Sequence, residues 1–289
     1  MSWSIDTGRM PGNWSSKTST ESSIFVGLTT LTCAVIEGPR AGWSSSLIRG
    51  LFSAAGVAFV SFLLYEPRRN DPLVNLRFFR SAPFSGATIL GLSSFSSFSA
   101  FLFLNALYLQ QVRGFSAFHT GLCTLPLALA MMVGSPWSGR LIGRYGPRPP
   151  LCAAGTSFLL STLLMTQLTP GTPLPVLLAA YALFGVGLGM VNPAIANSAV
   201  AGMPLAQAGV AAAIASTARQ VGAALGVAIA GTVVSTSRAK GSSFTLATHP
   251  IWWIMTGCGA IVLFLGWASA TAWARKSADL VAAELTVAG

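Results

Sequence analysis

Apolar residues in this chain run on for about twenty positions at a time, and polar residues collect between the runs. The pattern predicts eight spans, at 22–37, 47–65, 83–109, 118–138, 150–168, 174–195, 207–235 and 250–273. A helix rises about 1.5 Å per residue, so roughly twenty residues cross a hydrocarbon core about 30 Å thick. No water is available there, so each N–H and C=O must be paired within its own segment, which demands helices. The expected fold is all-α and integral to the membrane: a polytopic helical bundle of about eight transmembrane helices. The first stretch is short and Thr-rich, and the seventh is rich in small residues and contains Arg219.

Composition excludes a soluble domain. Only 8% of residues are charged and 53% are hydrophobic, and 17 Lys+Arg with 7 Asp+Glu cannot cover a water-facing protein of 289 residues. The net charge of +10 does not mark a nucleic-acid surface, because the basic residues sit in short connections between apolar runs, as topology control requires. One set of alternate connections holds Arg9, Lys17, Arg68, Arg69, Arg77, Arg80, Arg140, Arg144, Arg148, Arg275 and Lys276. The other holds Arg40, Arg49, Arg113, Arg238 and Lys240. The excess predicts cytoplasmic N- and C-termini in the plasma (cytoplasmic) membrane, which an even span count permits.

The organisation is uneven. Residues 1–21 form a polar tail without the apolar core of a signal peptide. Residues 22–81 hold two spans and a charged cytoplasmic linker, EPRRNDPLVNLRFFRSAPF, and composition shifts sharply near residue 81. Six spans with short connections follow at 82–273, then a cytoplasmic tail at 274–289. The tightest connection is TPGTP at 169–173, where Pro-Gly suits a turn between antiparallel helices.

Candidate chemistry is sparse. Ser94, Ser97, Phe101, Asn105 and Tyr108 are spaced 3, 4, 4 and 3 apart, which places them in one arc of a helix. A polar stripe is costly against lipid, so it faces either a cavity or neighbouring helices through hydrogen bonds. Gly185, Gly187 and Gly189 precede Asn192-Pro193; the glycines read as packing positions, and Asn192 is a further cavity candidate. Arg219-Gln220 lies inside the seventh span, ahead of Gly222-x-x-x-Gly226. An embedded arginine should point to protein, a cavity or the interface. Cys33, Cys123, Cys152 and Cys258 fall singly in apolar runs and lack metal-ligand spacing. No Asp or Glu lies within a span, Glu37 closing the first. His119 and His249 are expected at span edges. No catalytic grouping, metal site or cofactor site is expected, and no enzyme activity.

The segment Gly139-Arg-Leu-Ile-Gly-Arg-Tyr-Gly-Pro-Arg148, expected between spans four and five, has glycines suited to a tight connection and arginines suited to an ordinary cytoplasmic loop. It also resembles the cytoplasmic loop signature of the major facilitator superfamily, G-x-L-a-D-R-x-G-r-k. Gly139, Leu141, Arg144, Gly146 and Arg148 match, while Gly143 occupies the Asp position and Pro147 the first of the last two basic positions. DPLVNLRFFR, LYLQQVRG, YALFGVGLGMVNP and GVAAAIASTARQVGAALGVAIAG are similar to the fourteen-helix drug:proton antiporter branch. The resemblance implies efflux of hydrophobic or cationic small molecules driven by a proton gradient, with spans three and six lining a central cavity. It also implies that the first two spans are the branch's accessory helices. The first six-helix half would then be absent, and the chain would be truncated or split. A separately supplied first half, or a homodimer, would complete it. The alternative is a non-transporting remnant, or a membrane subunit of another transporter.

The topology is testable with reporters active only outside the cytoplasm, fused at residue 289 and within 169–173. Activity is expected at the loop and none at the C-terminus; the reverse pattern overturns the orientation.

Overall fold

The computed structural model describes residues 45–65, 79–201, 205–239 and 243–269, with single positions between 26 and 42 and at 241. Most of the expected first span, the charged linker and both tails lie outside the described residues. Every regular element among the described residues is helical. The chain divides into two compact units, Met1–Asn75 and Leu76–Gly289.

In the first unit the described positions from 26 to 38 are helical, and α1 spans Ser46–Tyr65. A Cβ on Gly27 would lie 3.3 Å from the Ala58 Cβ, so the two segments touch.

The second unit contains α2 (Ala82–Leu107), α3 (Ala117–Tyr145), α4 (Arg148–Thr166), α5 (Leu174–Val200), α6 (Leu205–Ala239) and α7 (Phe244–Ala268). Among the described residues these six are long and apolar enough to cross a membrane. Proline stands in the first turn of α2, α4 and α5, where its missing N–H has no helical partner to lose. α2 ends in a π-helical turn, Tyr108–Val112, in which the Arg113 N–H donates to the Tyr108 carbonyl at 3.1 Å.

Several boundaries differ from the sequence expectation. α3 continues to Tyr145 instead of ending near 138, so Gly139, Leu141, Gly143 and Arg144 are helical, not loop. The connection shrinks to Gly146-Pro147, and the turn rests on Gly146 alone, at φ +79. α7 begins at Phe244, not 250, and carries Pro250 inside it, so His249 lies within the helix and not at its edge. α6 outruns its expected span at both ends.

Why the six helices hold together follows from the bilayer. Lipid tails are as apolar as leucine, so cohesion comes from close packing and interhelical hydrogen bonds. The closest packing joins α3 to α5, α2 to α6 and α4 to α7, and glycine sits at each contact. A Cβ on Gly185 would strike the Leu127 carbonyl, and one on Gly189 would lie 2.7 Å from the Met131 carbonyl oxygen. Cβ atoms on Gly222 and Gly226 would strike the carbonyls of Leu92 and Ser96. A Cβ on Gly155 would lie 2.5 Å from the Leu263 Cα, and one on Gly266 would lie 2.8 Å from the Leu151 Cβ.

Hydroxyl groups fasten these contacts. Pro193 cannot donate to the Gly189 carbonyl one turn earlier; Ser135 of α3 donates to that oxygen, at 3.3 Å. Ser138 donates to the Met190 carbonyl at 2.7 Å, and Ser161 of α4 to the Ala180 carbonyl at 2.7 Å. At one end of the bundle, Arg113 donates to the carbonyls of Pro170 (2.8 Å) and Thr172 (3.0 Å), and Arg238 to the Gln111 side chain at 2.7 Å.

Gly226→Ala should cost about 1–3 kcal/mol, because the added methyl meets backbone that cannot move aside. Gly143→Ala should be neutral or stabilising by up to ~1 kcal/mol, since that glycine is helical and a Cβ there meets nothing within 4 Å. Thermal unfolding of the detergent-solubilised protein, followed by circular dichroism, measures both. Equal midpoints for the two variants would refute the packing account.

Candidate substrate-facing site

Five of the residues singled out in the sequence lie along one face of α2, and the structure buries all of them: Ser94, Ser97, Phe101, Asn105 and Tyr108. Their partners are other helices of the same unit. The Phe101 ring stacks on Phe184 at 4.2 Å and meets Tyr181 and Trp252 edge-on at 5.3 and 5.9 Å. Asn105 donates through Nδ2 to the Phe101 carbonyl (2.8 Å) and accepts from the Tyr181 hydroxyl (2.7 Å). The Tyr108 hydroxyl donates to the Thr169 carbonyl at 2.6 Å. The Ser94 hydroxyl is buried with no hydrogen-bond partner among the described residues, and the buried Ser97 hydroxyl lies beside the Cys258 thiol. This face of α2 is turned toward α5 and α7. Tyr181, Phe184 and Trp252, which complete it, carry no sequence signal beyond being aromatic in an apolar run.

A second group forms where α2, α5 and α6 meet. Arg219 of α6 donates through Nη1 to the Asn192 Oδ1 of α5 at 2.9 Å, across 27 residues of sequence. Its guanidinium carbon lies 5.7 Å from the centre of the Phe95 ring of α2. A Cβ on Gly91 would lie 3.3 Å from the Arg219 Cγ, so the glycine makes room for the arginine stem. Phe95 sits one residue from the predicted stripe, on the neighbouring face, and nothing in its spacing distinguished it.

The magnitudes matter here. Arg219 lies fourteen residues into the 35-residue α6, roughly 21 Å from that end of the helix. A charge near the centre of a membrane helix costs about 2.5–3.5 kcal/mol on insertion scales. A hydrogen bond to a charged group returns about 1.5–3 kcal/mol and a cation–π contact about 0.5–2 kcal/mol. Neutral partners can thus hold the side chain in place, but its formal charge remains.

The open faces of the helices differ in kind. α3 exposes Leu122, Leu125, Leu129, Met132, Val133 and Trp137, and α7 exposes Trp253, Ile254, Ile261 and Phe264. Apolar faces of this kind suit lipid or another apolar helix. On α6 Thr217 and Gln220 are exposed, and on α5 Asn197, while Asn192 and Arg219 are half-buried. An exposed polar face at this depth suits water or solute better than lipid.

The arginine-rich segment stands apart from both groups. Gly139, Gly143, Arg144 and Arg148 are exposed near one end of the bundle, with Arg140, while Leu141 packs against the core. Among the described residues, no group of three or more His, Cys, Asp or Glu side chains could hold a metal ion.

Comparison with known proteins matches residues 20–227 to the Major Facilitator Superfamily. The chain is 35% identical over 205 residues to the tetracenomycin C resistance and export protein of Streptomyces glaucescens, covering 71% of this chain and 38% of that one. It is 37% identical over 213 residues to the puromycin resistance protein pur8 of Streptomyces alboniger, covering 72% and 42%. With the multidrug resistance protein Stp of Mycobacterium tuberculosis it shares 32% over 211 residues, covering 73% and 39%. The matched region is thus less than half the length of each of these relatives. A matched family region covering most of the chain and six apolar helices packed into one bundle lead to the same conclusion: this is a multi-pass membrane protein that belongs to the Major Facilitator Superfamily.

Proposed function

We propose that the six-helix unit forms one wall of an export pathway for small hydrophobic molecules across the plasma membrane, driven by the proton gradient, with both termini cytoplasmic. The relatives' resistance and export names support the export of small molecules. The observation that carries the reading is the contrast in exposed faces. α3 and α7 expose large apolar side chains along their length, while α5 and α6 expose Asn197, Thr217 and Gln220 beside Val176, Val227 and Ile229, with Asn192 and Arg219 half-buried.

Alternating access rocks one helical bundle against another around a site near the membrane midplane. The open polar face of α5 and α6 is where a second bundle would meet this one, with the solute between them. Asn192, Arg219 and Gln220 are then the substrate-facing residues. Phe101, Asn105 and Tyr108 keep α2 rigid behind that wall by tying it to α5, α7 and the 169–172 turn. No Asp or Glu occurs from 82 to 269, so the carboxylates that take up protons in this scheme lie outside the six helices.

Cysteine labelling tests the assignment, after Cys33, Cys123, Cys152 and Cys258 are replaced. Cysteine at Asn192 or Gln220 should react with a membrane-impermeant thiol reagent, and tetracenomycin C should slow the reaction. Cysteine at Ser97 or Asn105, inside the bundle, and at Leu129, on the lipid face, should react at least about tenfold more slowly, a difference of ~1.4 kcal/mol in accessibility. Labelling at 97 and 105 but not at 192 and 220 would move the pathway to the other face of α2.

A further inference from the structure

Arg219 brings a permanent positive charge into six helices that contain no carboxylate. From 82 to 269 the chain contains Arg113, Arg140, Arg144, Arg148, Arg219, Arg238 and Lys240, and not one Asp or Glu. Guanidinium does not lose its proton in proteins, so neutralisation by a shifted equilibrium is closed to it. Its polar partner is the neutral Asn192 amide, and its aromatic partner is the Phe95 ring. The group has five N–H donors, of which the Asn192 bond uses one; the others have no acceptor among the described residues. The side chain is half-buried, so it is not sealed from the surface, and the next residue, Gln220, is exposed.

Its placement is also fixed. Asn192 holds Nη1 from one side, Phe95 lies near the guanidinium, and the glycine at 91 leaves space for the stem. A planar donor fork held this way matches a carboxylate, which accepts two parallel N–H bonds.

We propose that Arg219, oriented by Asn192 and Phe95, is a binding site for the carboxylate of an amphiphilic substrate. The proposal rests on the reading of this face as the wall of the export pathway, and it narrows the substrate class. A hydrophobic molecule bearing a carboxylate gains a charge-assisted pair in a region of low dielectric. A neutral analogue gains only packing, and a cationic analogue is repelled. Preference for cationic substrates, one of the expectations drawn from the family resemblance, is therefore not expected of this wall.

Three probes of equal shape test it: pyrenebutyric acid, its primary amide, and the corresponding pyrenylalkylamine. Binding to the purified full chain in phosphatidylcholine nanodiscs is read at neutral pH by energy transfer from tryptophan. Empty nanodiscs and Arg219→Gln protein serve as backgrounds. The wild-type protein should bind the carboxylate on the order of tenfold more tightly than the amide, as a charge-assisted bond provides, and the amine more weakly still. In Arg219→Gln the carboxylate and amide should bind alike. Arg219→Lys keeps the charge and must keep the order of the three probes even if Arg219→Gln fails to fold.

Equal binding of carboxylate and amide by the wild type overturns the proposal but leaves the pathway reading standing. A carboxylate preference that survives in Arg219→Gln also overturns it. Failure of all three probes to bind the wild type overturns both readings. Loss of the carboxylate preference on adding phosphatidylglycerol, with amide binding intact, would assign the site to a lipid headgroup and overturn the substrate proposal.

Discussion

The arrangement of this bundle depends on how closely two helix backbones approach in a medium that gives them little reason to associate. Between helices in lipid the hydrophobic driving force is almost absent, so distance decides the strength of packing. Glycine at 185, 189, 222 and 226 lets carbonyl groups of the facing helix occupy the space a side chain would take. Once α5 lies against α3 at this range, Ser135 and Ser138 can reach the carbonyls of Gly189 and Met190. That compensates for Pro193, which leaves the Gly189 carbonyl without its helical donor. The same stretch of α5 presents Asn192 to Arg219. Backbone contact, hydroxyl fastening and the charged group therefore follow one another in sequence and in space.

The pairing has an internal order. Exchanging the first three helices of the unit with the last three carries the α2–α6 contact onto α5–α3 and leaves α4–α7 on itself. Because three spans reverse direction, such repeats are inverted in the membrane, as in other halves of this superfamily. α2 and α5 meet at the centre of this exchange through the stack of Phe101 on Phe184 and the Asn105–Tyr181 bond. Polar residues there are used for cohesion. The polar residues on α5 and α6 away from this centre are more open, Asn197, Thr217 and Gln220 being exposed.

Charge is distributed by the same economy of partners. Arg113 and Arg238, on the side with fewer basic residues, are engaged with carbonyls and an amide at helix connections. Arg140, Arg144 and Arg148 are exposed at the opposite end, where anionic headgroups and water can meet them. Arg219 belongs to neither end. It is the embedded charge of the unit, and Gly91, Asn192 and Phe95 are arranged around it.

The sequence by itself determined the fold class, six of the spans, and the family, because the period of apolar runs and the loop signature are local properties of the chain. It also marked polar residues whose side chains the structure engages in hydrogen bonds: Asn105, Tyr108, Asn192 and Arg219. Only tertiary structure decided which of them face inward. Helical spacing shows that Ser94, Ser97, Phe101, Asn105 and Tyr108 share a face of α2, but every helix face has the same period whatever lies opposite it. The direction came from the glycines that bring α6 against Leu92 and Ser96, and from the aromatic rings of α5 and α7 that close over Phe101. The ends of α3 and α7 were misjudged for a related reason. Glycines at 139 and 143 and a proline at 250 read as breaks in a local window. In the folded unit, a nearly complete ladder of backbone bonds keeps those segments helical. The Arg219–Asn192 contact could not be read at all, since 27 residues of sequence separate two side chains that only the crossing of α5 and α6 brings within 2.9 Å.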